Sequence, residues 1–74
     1  MEFDRRRLLG RIIEKFGTQR DFANAAGIPA SSVSNKLSNK VGISSEDIYL
    51  WCSEDLLDIP VEQIGVFFFT PKFH

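Results

Sequence analysis

Thr18-Gln19-Arg20-Asp21-Phe22-Ala23-Asn24-Ala25-Ala26-Gly27-Ile28-Pro29-Ala30-Ser31-Ser32-Val33-Ser34-Asn35-Lys36-Leu37 reads as two short helices joined by a tight turn. Thr18 fits the N-cap of the first, from about Gln19 to Ala26, with Asp21 three positions on as a shortened capping box. Phe22, Ala23 and Ala26 form its buried side. Gly27 supplies a left-handed turn that larger residues enter only at a cost. The second helix runs from about Ala30 to Ser38, with Pro29 at or near its first turn. Val33 and Leu37, four apart, anchor it. Its other side shows Ala30, Ser31, Ser34, Asn35 and Ser38. Serine and asparagine are indifferent helix formers, so a purely structural surface helix would carry Glu, Lys or Arg there. That anomaly marks the face as functional.

Gly17, Gly42 and Pro60 punctuate the rest. From about Asp4 to Phe16, Leu8, Leu9, Ile12, Ile13 and Phe16 make one apolar stripe, with Asp4 as N-cap. Arg5, Arg6 and Arg7 read as a solvated face. A fourth segment spans about Ser45 to Leu57, capped by Ser44 or Ser45, with Ile48, Trp51, Cys52 and Leu56 on one side. Cys52 and Trp51 read as core. A fifth begins at Pro60 and takes in Val61, Ile64 and Val66 to Phe68. Pro71 then forbids a helix. The expectation is one all-α domain over residues 1–74: a compact bundle of about five short helices containing a helix-turn-helix, with an extended aromatic tail.

With 74 residues the chain is one domain burying only about 60% of its unfolded surface. One cysteine and one histidine exclude an internal disulfide and a Cys/His zinc site, and indicate a reducing, intracellular setting. The acidic start lacks a signal-peptide core, and no apolar run approaches a membrane span of roughly 18 residues. No internal histidine, activated nucleophile or phosphate loop points to an enzyme, a cofactor or a small-molecule substrate. The net charge of −1 averages two unlike halves, +4 over residues 1–40 and −5 over 41–74.

The order Gln19, Phe22-Ala23, Gly27-Ile28, Val33, Leu37 resembles the lambda-repressor and Cro class of helix-turn-helix proteins. The opening Phe-Asp…Leu-Leu-Gly-Arg-Ile, the Val-Ser-x-Lys-Leu-x-Asn-Lys run and the close in Ile-x-x-Phe-Phe are similar to small Cro-like regulators of Gram-positive temperate phages. The resemblance implies cytoplasmic action in a bacterial host on double-stranded operator DNA. Gln19 would touch a phosphate and brace the recognition helix, and Pro29, Ala30, Ser31, Ser34, Asn35 and Ser38 would face base edges or phosphates. One departure matters: the aliphatic residue usual three positions after Val33 is replaced by Lys36, and Leu37 follows.

Asn35 is the candidate base reader, because its amide can pair with N6 and N7 of adenine. The plainer alternative makes Asn35 an ordinary exposed helix residue and Gln19 a helix cap. Lys36, Asn39 and Lys40 would contact phosphates. No arginine lies on this helix, so the strong Arg–guanine contact is absent. Phe67, Phe68, Phe69 and Phe73 form a cluster too large for the small core, which suggests a protein interface in a homodimer. The alternative is that Phe67 and Phe68 complete the core. Two functions follow: a sequence-specific, Cro-like repressor, or a modulator that contacts the phage repressor.

Overall fold

Residues 3–72 are described by the computed structural model. Among them lie five α-helices and one 3-10 turn: α1 Arg6–Phe16, α2 Gln19–Ala26, α3 Ala30–Leu37, α4 Ser45–Trp51, the turn Val61–Gln63, and α5 Ile64–Phe68. The all-α architecture is the expected one. None of the helices is long and apolar enough to cross a membrane.

Helix ends follow their local chemistry. Thr18 Oγ1 accepts from Asp21 N–H at 3.0 Å and starts α2. Gly27, at φ +74°, ends it: Gly27 N–H bonds the Asn24 carbonyl at 3.3 Å, and Ile28 N–H the Ala23 carbonyl at 3.1 Å. This is the two-bond Schellman stop. Helix α3 ends the same way, with Asn39 taking the left-handed place at φ +65°. Asn39 N–H bonds Lys36 O, and Lys40 N–H bonds Asn35 O at 2.9 Å. Helix α1 starts at Arg6 rather than next to Asp4; the Asp4 carboxylate accepts from Arg6 N–H at 2.9 Å from two residues upstream.

The core is centred on three fully buried rings, Trp51, Phe22 and Phe68, with Phe16 packed against them. Trp51 and Phe22 meet edge to face at 5.1 Å, Phe16 lies 5.5 Å from Phe22, and Phe68 closes the far side of Trp51 at 6.5 Å. Leu8, Ile12, Ala23, Val33 and Leu57 are fully buried around them. The α1 stripe is narrower than expected, because Ile13 lies toward solvent. Cys52 is half-buried rather than buried, and burial pushes its thiol pKa up.

The fourth segment departs most from its sequence reading. Helix α4 stops at Trp51, and residues 52–57 run as turns and a bend instead of continuing as helix to Leu57. This irregular course places Leu56, Leu57 and Ile59 in the core together. Arg11 holds it in place: Nε donates to Leu57 O at 2.8 Å and Nη2 to Asp58 O at 2.8 Å. Asp58 itself sits at φ +50°. Arg11→Ala leaves those carbonyls without their cation. The expected loss is about 1–3 kcal/mol, read from urea unfolding. An unchanged midpoint would remove Arg11 from this role.

The three consecutive phenylalanines do point three ways. Phe68 is fully buried, Phe67 is half-buried with the Arg11 guanidinium 5.9 Å from its ring centre, and Phe69 is 47% exposed against Phe3. Phe68 is therefore core and not an interface residue. The tail is pinned rather than loose: Phe3 and Pro71 form an antiparallel bridge, and Asp4 N–H bonds Thr70 O at 2.7 Å. Phe73 lies outside the described residues.

Candidate functional site

The turn at Gly27 sets α3 against α2, with Val33 buried and the opposite side facing solvent. Pro29, Ala30, Ser31, Ser34 and Ser38 are exposed, as is Lys40; Gln19 and Asn35 are half-buried. Ser38 Oγ donates to the Asn35 carbonyl at 3.2 Å, so its hydroxyl proton is spent on the helix itself. The face thus carries short hydroxyls, two half-covered amides and one exposed cation.

Two residues assigned to phosphates have other partners. Lys36 Nζ donates to Asp47 Oδ2 at 2.7 Å, with side chains 16% and 22% exposed. The ammonium also lies 5.9 Å from the Trp51 ring centre. Lys36 therefore ties α3 to α4 instead of facing a ligand. Asp47 closes a capping box with Ser44: its N–H bonds Ser44 Oγ, and its Oδ2 accepts Ser44 N–H, both at 3.1 Å. Burial pushes the Asp47 pKa up, but the Lys36 and Ser44 bonds outweigh it and hold the carboxyl below its ordinary value.

Asn39 is the second correction. Its amide nitrogen donates to Phe3 O at 2.9 Å and its oxygen accepts Phe3 N–H at 3.4 Å. The side chain clamps the N-terminal arm as a strand neighbour would, which commits its oxygen and one of its two N–H donors to the fold. An asparagine just past the last periodic residue was the available signal for a helix stop. Nothing local announces the arm, 36 residues away.

A second exposed surface went unnoticed in the sequence. On α4, Glu46, Tyr49 and Leu50 stand at i, i+3 and i+4, and all three are exposed, Tyr49 to 86%. Trp51 turns inward on the same short helix. A tyrosine standing almost free of its own domain is the type of residue that anchors protein interfaces. The signal was there: in the expected segment, Tyr49 falls outside the apolar side. Electrostatics agree with a division of labour, since Glu54, Asp55, Asp58 and Glu62 follow α4 and all are exposed.

Over residues 1–71 the sequence matches the family described as "Protein of unknown function (DUF739)". The chain belongs to the DUF739 family. Among solved structures, this DUF739 member is similar to the solution structure of the modulator of repression (MOR) of the temperate bacteriophage TP901-1 from Lactococcus lactis. The two share 38% identity with a TM-score of 0.80, over 100% of this chain and 97% of that one. No curated protein matches the chain.

Proposed function

We propose that this chain modulates repression in a temperate phage by contacting a repressor protein. The observation that carries the reading is the end-to-end likeness to a modulator of repression at 38% identity. The chemistry of the two exposed surfaces supports it. On α3, Lys36 and Asn39 are committed internally and arginine is absent, so phosphate contacts are few. On α4, Tyr49 and Leu50 offer apolar area beside Glu46, with further acids behind, which suits a basic partner surface.

A second reading keeps one observation of its own. The α2–turn–α3 unit presents Ser31, Ser34 and Asn35 on a side that nothing in the domain covers completely. In that reading a homodimer acts as a sequence-specific, Cro-like helix-turn-helix repressor, and Asn35 reads an adenine. The scarcity of cations favours the first reading.

Calorimetric titration with the repressor of the same phage tests the proposal. Tyr49→Ala is expected to weaken the complex by about 2 kcal/mol, roughly thirtyfold. Thermal unfolding should be unchanged, because the side chain touches little of its own domain. Wild-type affinity in Tyr49→Ala would move the contact off α4. No heat with the wild-type chain would end the proposal.

A further inference from the structure

We propose that the cleft between the N-terminal arm, the start of α1, the end of α3 and the tail binds a carboxylate carried on an apolar stem. This inference is independent of the repressor-contact reading. The cleft has a volume of about 730 Å³. Its walls include Phe3, Leu9, Leu37 and Pro71, and Arg5 contributes a buried cation.

Arg5 is the anomaly that points to a ligand. The residue is only 9% exposed, yet it has no carboxylate partner among the described residues. An arginine does not lose its proton in a protein, so the charge is present. Buried charges are ordinarily paired. Here Nη1 donates to the Phe68 carbonyl, the guanidinium lies 5.3 Å from the Phe3 ring centre, and Nε is shielded from water without a partner. With Nη1 engaged, the Nε–Nη2 edge remains. Its two parallel N–H bonds match the two oxygens of a carboxylate. Nε is shielded in the unliganded chain, so forming both bonds requires the cleft wall beside it to shift.

The surroundings select the ligand. The apolar walls suit a hydrocarbon stem. Asp4 also lines the cleft, ionised and held at about 2 by its bonds to Arg6. A phosphate's further oxygens would lie unsolvated against the apolar walls, which favours a monoanionic head on a hydrocarbon stem. Arg6 is already paired with Asp4 at 2.6 Å, and Arg7 is exposed and has no ion pair among the described residues. Arg7 and Lys72 are exposed cations on the same walls, and Arg5 is the buried one.

Proton–nitrogen correlation spectra of the full chain test this through the Arg5 Nε–H signal. The probes are sodium hexanoate, the capped peptide acetyl-Leu-Glu-Leu-amide, inorganic phosphate and sodium chloride, at one ionic strength. Hexanoate and the peptide are expected to shift the Arg5 Nε–H and Asn39 side-chain signals saturably. Phosphate and chloride should not. Tighter binding of the peptide assigns the carboxylate to a protein segment; tighter binding of hexanoate assigns it to a free acid. Arg5→Lys keeps the charge but loses the paired edge, and should weaken binding at least about tenfold. The wild-type Nε signal decides the matter even if that variant folds poorly. No saturable shift with either carboxylate, or an equal shift with phosphate or chloride, overturns the proposal.

Discussion

Trp51→Ala loses about 3–5 kcal/mol of folding stability, the largest loss expected of any single substitution in this domain. Trp51 is fully buried, closes on Phe22 at 5.1 Å and backs onto Phe68. It also carries the Lys36 ammonium over its ring. No neighbour is large enough to fill the space it would leave. A domain of 74 residues holds about 4–11 kcal/mol in total, so a large share disappears. Thermal circular dichroism should show the midpoint falling by at least about 12 °C. Trp51→Phe supplies the contrast. Trp51 Nε1 is buried without a partner, and phenylalanine removes that unsatisfied donor while keeping a ring against Phe22. Its loss should be half that of alanine or less. Equal losses would mean the ring contacts matter less than the volume.

Asp47→Ala is the second. It strands the Lys36 ammonium, which is only 16% exposed, and it takes the capping box from α4 in the same step. Breaking a fully buried ion pair costs about 3–5 kcal/mol, and this pair is partly solvated, which reduces the cost. The lost cap adds about 1 kcal/mol. The expected sum is about 2–4 kcal/mol by urea unfolding. Lys36→Met should cost less, since the stem still packs on Trp51 and Asp47 still caps through Ser44.

The same pair gives an acid signature. The folded-state pKa of Asp47 lies below its ordinary value of 3.8. Its contribution is therefore complete above 3.8 and is lost as the pH falls through the lower, folded value. Asp47→Ala should flatten that part of the acid limb, and a parallel limb in wild type and variant would contradict the assignment.

These two residues also show where sequence reading stops. Helix α2, its stop at Gly27 and the start of α3 were legible, because each signal lies within a few residues of its effect: Thr18 with Asp21, Gly27 with Ala23 and Asn24. The end of α4 was not. It depends on Arg11 reaching Leu57 and Asp58, 46 and 47 residues away. Arg5 likewise read as solvated among three consecutive arginines, and only the closure of the arm and tail buries it. Lys36 looked like a phosphate contact for the same reason: its partner, Asp47, comes from the next helix. The exposed side of α3 was visible, whereas what it lacks in charge became plain only once those partners were known. On α4, Tyr49 gives little sequence signal beside the phenylalanine cluster, whose Phe68 is core.

On the proposed reading, this chain acts through a repressor rather than by reading DNA itself. The most direct measurement is an electrophoretic titration of labelled operator DNA with the chain alone, the repressor alone, and both together. The account predicts no shift with the chain alone and an altered repressor–operator shift when both are present. A specific, salt-sensitive shift produced by the chain alone, with the repressor's own shift unaffected by its presence, would contradict it.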